Sequence, residues 1–385
     1  MLSEESLDIA VVIEHANRRG GQERVAIELM RAWSQRHHVT VYAYEAARDV
    51  LGDDIEIAEV RPKSRSKMIG AIMFPTLSAR RLGRGHDVVL SQGGNCLAAN
   101  FSLIHTCHPL RLETMLKVAA ERGRRLSTKE QINVAVRRRF FIPMERRMLE
   151  LCRGRAYAVS SRLRDDLVRM HGVAPEDVLV APNGVDLATF SPATQGARPR
   201  VRGELGLGED ALVALFVGGI WWEKGLHVAL RALAQAKAPW HLVVVGQDDD
   251  ATSFEAMARE LHIAERVHFV GRTPQPQDYY GSADCLILPS RFEGFPLVSL
   301  EAAACGLPVL ISREGHPGDL IDEATGYVLE REPAQFAGAL DELAADQVRR
   351  RAMGAEAASR AREFTWERQA QILEEGFLAF ARGRR

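Results

Sequence analysis

The 385 residues are too many for one ordinary domain and suit two of common size. Fifty Lys and Arg against 51 Asp and Glu leave a formal net charge of −1, and no known nucleic-acid-binding module accompanies them, which argues against nucleic acid as a partner. No apolar run is long enough to span a bilayer and the N-terminus lacks the basic-then-apolar pattern of a signal peptide, so the expected location is the cytoplasm.

Aliphatic runs alternate with Ala/Glu/Arg-rich helical stretches, which predicts an α/β architecture with parallel sheets. Asp8–Glu14 reads as the first strand. It runs into Arg18-Arg-Gly-Gly-Gln22, after which Glu23–Trp33 carries apolar residues at helical spacing. Val39–Tyr44, Asp87–Ser91 and Phe101–His105 read as further strands, Ala156–Ser160 closes the first half, and Val178–Ala181 follows the next helix. Ser191–Arg202, rich in Pro, Gly and Arg, reads as a linker. A second series of strands follows at Ala211–Val217, His241–Val245, Val267–Val270, Ala283–Leu288 and Pro308–Ile311. Each half therefore reads as a doubly wound, Rossmann-like sheet, with ligands expected beyond the carboxyl ends of the strands and in the cleft between halves. The predicted domains are 1–192 and 203–365, and Thr365–Phe380 reads as an amphipathic helix.

Charge is unevenly spread. Arg61–Arg84 holds seven Lys/Arg and no acid, and Arg111–Arg155 holds thirteen against five, so the remainder is net acidic. Apolar residues lie among these cations (Met68, Ile69, Ile72, Met73 and Phe74; Phe140, Phe141, Ile142 and Met144), a mixture that suits an anionic lipid surface or anionic acceptor as well as a pair of solvated helices. The five cysteines show no metal-ligand spacing and read as reduced residues of core or loop.

The segment Pro289–Ser312 is the most informative. Two glutamates, Glu293 and Glu301, stand with seven residues between them, bracketed by the apolar runs Cys285–Leu288 and Val309–Ile311. Pro296 suits the first helical position and Gly306 the residue just past the helix end. Strand, glycine loop, short helix, strand is the predicted order. A helix N-terminus offers free N–H groups to phosphate, and a carboxylate beside it accepts from sugar hydroxyls. The sequence "EGFPLVSLEA…GLPV" resembles the E-x7-E motif of retaining glycosyltransferases with the GT-B fold, and more narrowly their family 4, in which the lipopolysaccharide core glucosyltransferases are similar.

The resemblance implies two Rossmann-like domains facing across a cleft, with residues 366–385 crossing back to the first. It implies transfer of a hexose from a nucleotide-diphosphate sugar, UDP-linked, to a saccharide or lipid-linked saccharide of the cell envelope, with no cofactor and no metal. Glu301 would then hold the ribose and Glu293 the transferred sugar. Lys224 and the backbone of Gly294, Phe295, Pro296, Leu297 and Val298 would hold the diphosphate. Members of the family commonly carry an Arg five residues before that Lys, where this chain has Gly219; the lipopolysaccharide core glucosyltransferases look similar in lacking it. Gly246, Gly271 and Arg272 fall on the loops that hold the base, and Gly20-Gly21 on the loop that contacts sugar phosphate or acceptor. In Ile104-His-Thr-Cys-His-Pro109, His105 is the first candidate to meet a sugar hydroxyl or orient the acceptor and His108 the second, with Gly93-Gly94-Asn95 as part of the acceptor pocket. Asn183-Gly184 reads as a structural turn, and Asp284 as a structural residue at a strand end. No well-placed carboxylate in the first half suggests a protein nucleophile. Two other readings compete: a sugar-nucleotide epimerase, disfavoured by the glutamate segment, and a non-catalytic sugar-nucleotide-binding subunit, which the Gly219 departure leaves open.

Overall fold

The computed structural model describes residues 6–17, 20–61, 66–83 and 85–384. Arg18 and Arg19 of the first loop, and positions 62–65 and 84 of the basic stretch, lie outside the described residues. Two compact units divide the chain: Met1–Glu113 with Gly123–Gly184 and Trp366–Arg385, and Thr114–Arg122 with Val185–Thr365.

The first unit is built on a seven-stranded parallel sheet. Its spatial order is Ile55–Glu59, His38–Ala43, Asp8–Val12, Val88–Gln92, Phe101–Ile104, Ala156–Ala158, Val178–Val180. The central strands are near-continuous apolar runs because neither face meets water. The sheet reverses its winding between Asp8–Val12 and Val88–Gln92, so the loops after Val12 and Gln92 diverge and leave a crevice. The first strand stops at Val12 rather than running to Glu14, because the chain bends there and His15–Ala16 pairs with Glu45–Ala46 in a separate small ladder. Ile55–Glu59 was not foreseen. It is an edge strand in which all four residues after Ile55 are only partly covered or exposed, which blurs the apolar signal.

The helix Trp366–Arg384 belongs to this first unit. Trp33 Nε1 donates to Ala370 O at 3.2 Å, and Phe377 meets Phe101 edge to face and Trp33 at a tilt, with centroids 4.8 and 5.3 Å away. Glu374 accepts from Arg36 and pairs with His37 at 2.6 and 3.0 Å. Gln369 Nε2 donates to Ala181 O, close to Asn183, so the Asn183-Gly184 turn is tied to this helix.

A long helical stretch also lies in the first unit: Thr128–Val136, a π-helical turn Arg137–Phe141, then Ile142–Leu151. Ser127 and Glu130 start it with a reciprocal capping box. The π turn carries one residue more than an α turn would, a distortion often found at functional sites.

The second unit holds a six-stranded parallel sheet ordered Val267–Gly271, His241–Val245, Val213–Val217, Cys285–Leu288, Val309–Ser312, Gly326–Leu329. Its switch point lies between Val213–Val217 and Cys285–Leu288. The edge strand Gly326–Leu329 was also unforeseen, being short and half-exposed over three of its four residues.

Ser191–Arg202 is not a free linker. Pro192–Ala197 forms a 3-10 turn and Arg198–Glu204 an α-helix, both counted with the second unit. Arginine is the reason. Arg198 and the fully buried Arg202 both grip Asp284, at 2.8 and 2.9 Å, and Arg202 also donates to the carbonyls of Gly208, Glu209, Ala211 and Ser282. Asp284 additionally accepts from Val213 N, so it knots the start of two strands to the segment before them.

Candidate active site

At the switch point of the second unit the chain leaves Leu288 through a loop into the helix Leu297–Ala304. Pro296 precedes that helix instead of opening it, a one-residue correction, because its ψ of 110° is extended. Gly306 ends the turn after it at φ +81°, a conformation that favours glycine. Gly294, Phe295 and Pro296 are buried, Leu297 and Val298 half-buried, and the Phe295 ring lies 5.8 Å from that of Phe364.

Glu293 Oε1 accepts from Lys224 Nζ at 2.6 Å and from Ser290 Oγ at 2.8 Å. Lys224 arrives from the other side of the switch point, as the last residue of the short helix Trp221–Lys224 that follows Val213–Val217. Trp221 N, at the mouth of that helix, donates to Asp248 Oδ2 at 2.7 Å. Glu301 is buried on the second turn of its own helix, where Oε2 accepts from the phenol of Tyr280 at 2.7 Å. The two glutamates thus have different neighbours, one an ammonium and one a phenol. Asp248 and Tyr280 were missed as partners, since nothing local marks bonds that span 27 and 21 residues; Ser290, three residues from Glu293, was missed although it is near in sequence.

Two glycines here are conformationally required. Gly246 has φ +124°, and a Cβ on it would collide with the Gly218 carbonyl; Gly225 has φ +83°, and a Cβ there would collide with the Pro289 carbonyl. Gly246 N donates to Gly271 O, so the ends of three neighbouring strands meet at bare backbone. Gly219 has Gln247 O 3.2 Å from where its Cβ would stand, while Gly271 faces open space and Arg272 is exposed. Ile220, a β-branched residue at φ +51° and 55% exposed, stores strain in the same loop.

The first unit has its own pocket, of about 220 Å³, at its switch point. Gly20 caps the helix Gly21–Ser34, and the Glu23 carboxylate folds back so closely that a Cβ on Gly20 would lie 2.6 Å from it. Two carboxylates of the first half that the sequence reading did not single out, Glu14 and Glu23, line this pocket. Burial raises the Glu14 carboxyl above its ordinary range, partly countered by His15. His105 Nε2 lies 2.7 Å from Gln92 Oε1, and burial holds the imidazole down to about 3. The ring is therefore neutral at ordinary pH, donating to Gln92 through Nε2 and leaving Nδ1 as acceptor. Gln92 Nε2 is buried with no partner. His108 is likewise held to about 3, by burial and then Arg137, whose Nη1 donates to its Nδ1 at 2.5 Å; its ring stacks on Phe141. Gly94 and Asn95 close one wall, and Phe140, Phe141 and Met144 another.

The structure frees and buries all five cysteines. It also gathers a group that spacing hid: Cys107, Glu145 and His171, with ligand atoms within 4.8 Å of one another. His171 Nε2 pairs with Glu145 at 2.6 Å and both Glu145 oxygens accept from His108 N, so the carboxylate already serves to cap the helix His108–Glu121.

Two family models match, one for each half. Residues 19–189 match "Glycosyltransferase Family 4" and residues 197–360 match "Glycosyl transferases group 1". The chain belongs to the GT-B glycosyltransferases, of the family 4 type. Over 236 residues it is 36% identical to D-inositol 3-phosphate glycosyltransferase of Kineococcus radiotolerans, covering 55% of this chain and 54% of that one. The chain spans about half the length of the curated relatives it matches. WaaG, a glycosyltransferase involved in lipopolysaccharide biosynthesis, shares the fold with a TM-score of 0.75 at 22% identity, over 94% of this chain and 98% of that one. HepE of Anabaena, solved in complex with UDP-glucose, does so with a TM-score of 0.71 at 17% identity, over 97% and 100%. In this family 4 chain both doubly wound sheets foreseen from the strand runs are present.

Proposed function

We propose that this chain is a retaining glycosyltransferase that moves a hexose from a nucleotide-diphosphate sugar, UDP-linked, to a saccharide or lipid-linked saccharide acceptor. The observation that carries the reading is the meeting of Lys224 and Glu293 at the mouth of the helix Leu297–Ala304. An ammonium beside the positive end of a helix suits the departing diphosphate, and the neighbouring carboxylate suits hydroxyls of the transferred sugar. Glu301, held through Oε2 by the Tyr280 phenol, is the carboxylate placed to meet the ribose in this reading. Gly246 and Gly271 present backbone to the base. Neutral His105 lines the first unit's pocket, where its Nδ1 would accept from an acceptor hydroxyl, and Gly20 and Gly21 lead into Gln22 and Glu23 of the same lining. In the step itself the anomeric carbon loses its bond to the diphosphate oxygen and gains one to the acceptor oxygen on the same face, and the diphosphate takes the acceptor's proton. No metal is needed where Lys224 and the helix end supply the positive potential. Glu14 and Glu23 give a specific reason to test the rival course, a double displacement through a protein carboxylate.

The expected result with purified chain and UDP-glucose or a related hexose donor is release of UDP and a product that keeps the donor's anomeric configuration, undiminished by chelators. Inversion would sink the retaining assignment, and donor binding without nucleotide release would leave a binding subunit. Interconversion of the sugar without UDP release would mean an epimerase. Relatives named for inositol phosphate favour a second acceptor class, a phosphorylated polyol, so both acceptors belong in that assay.

The proposal extends to the membrane surface. Met68, Ile69 and Met73 are exposed on a helix, Lys67–Arg81, that ends in Arg80 and Arg81, and Phe140 is exposed beside Arg137–Arg139. Apolar residues that enter the headgroup layer while neighbouring cations meet anionic lipid would hold the protein peripherally on a membrane. Co-sedimentation with phosphatidylglycerol vesicles at low salt is the expected result, weakening as salt rises; no binding at low salt would remove the claim.

A further inference from the structure

Residues Thr114–Arg122 count with the second unit, and Glu121 ends the helix His108–Glu121, the end at which the helix dipole disfavours an anion. Two cations hold it there. Arg291 Nη2 contacts Glu121 Oε1, and Arg331 Nη1 lies 3.2 Å from the same oxygen. The guanidiniums are much less exposed than their partner, with side chains 13% and 8% exposed against 38% for Glu121. Burial brings both arginines down to about 10, which leaves each charged at neutral pH in a costly setting.

The rest of the cluster fixes the arginines in place. Arg331 Nε donates to Pro289 O at 3.0 Å and its Nη2 to His227 Nε2 at 2.9 Å. His227 is held to about 3 by burial and then Arg331, so it stays neutral; its Nδ1 and Arg291 Nε are buried without partners. Glu314 acts on both arginines and Glu332 on Arg331 only through space. The cluster sits at the carboxyl edge of the second sheet. Arg291 follows Cys285–Leu288, Arg331 follows Gly326–Leu329, and Arg291 N donates to the carbonyl of Glu223, the neighbour of Lys224.

We propose that Arg291 and Arg331 form a phosphate-binding subsite, in which the oxygens of a phosphorylated ligand replace the Glu121 carboxylate. Two preset guanidinium forks match the doubly charged, three-oxygen face of a phosphate better than one singly charged carboxylate. Glu121 is the exposed member and turns outward at little cost, so it acts as an internal competitor that keeps the arginines paired until phosphate arrives. Lys224 and Glu293 have no part in this subsite, and it stands whether or not they hold a donor.

The test is calorimetric titration of inorganic phosphate into the purified full chain, with and without saturating UDP, for wild type, E121Q, R331Q and R331K. E121Q is expected to tighten phosphate about fivefold or more, since the competent form is no longer taxed by the carboxylate. R331Q and R331K are expected to weaken it about tenfold or more, the second variant keeping charge and fold while losing the fork. Binding that persists beside UDP assigns the subsite to a phosphate of the acceptor, and binding that UDP abolishes assigns it to the donor. Unchanged or weaker phosphate binding in E121Q overturns the proposal and leaves the arginines as a structural clasp. UDP affinity, measured in the same samples, reports separately on the donor site.

Discussion

Replacing Lys224 by alanine is expected to lower kcat/KM for the nucleotide-sugar donor by a factor of about 100 to 1,000, the range for losing one preorganised cation or donor at developing negative charge. Position 219, five residues before Lys224, is a glycine and supplies no second cation there. The Lys224 side chain is a quarter exposed and its ammonium contacts only Glu293 in the described hydrogen bonds, so the variant should fold. Lys224→Arg should recover part of the loss, because charge is kept while the shape of the head changes. UDP release under donor saturation separates a fall in kcat from a rise in KM. A variant within about threefold of wild type in kcat/KM would dismiss the diphosphate role of Lys224, and would turn attention to the arginines beside it.

The second large effect concerns stability. Asp284→Ala strips the counter-charge from Arg202, a side chain only 2% exposed, and cuts the bond to Val213 N. Breaking one side of a buried ion pair costs about 3–5 kcal/mol, because the remaining charge is left in a poor dielectric. Urea unfolding of the second unit should register that loss. Adding Arg202→Met to Asp284→Ala should cost less than the two single losses summed, since each removes the reason for the other. A single variant as stable as wild type would show that the carbonyls of Gly208, Glu209, Ala211 and Ser282 suffice for Arg202.

Much of the fold was legible because buried parallel strands announce themselves as apolar runs. His241–Val245 and Cys285–Leu288 needed no tertiary information. Edge strands did not announce themselves: Ile55–Glu59 and Gly326–Leu329 are each half in water, and their residues serve two environments at once. Ser191–Arg202 misled because proline and glycine speak for a local turn, whereas its structure is fixed by Asp284, over 80 residues away. The same limit applies at the site. Spacing located Glu293 and Glu301, but that Lys224 meets the first and Tyr280 the second depends on which strand lies beside which. Glu14 looked like the end of a strand, and only the bend after Val12 turns it into a pocket residue.

The π turn Arg137–Phe141 gives the first unit's pocket an unusual kind of adjustability. In an α-helix each residue advances the side-chain direction by about 100°, so absorbing one residue at the π turn re-aims everything on one side of it relative to the other. Phe140 and Phe141 stand at that joint, and Met144 lies just beyond. The aromatic wall is therefore governed by helix length as well as by residue identity. Loss of a single codon there would convert the π turn to regular helix and turn Met144 and the residues beyond it relative to those before the joint, with the sheet beneath untouched. The lining of such a pocket can diverge by a change of register, a route that comparison of aligned residues one by one would overlook.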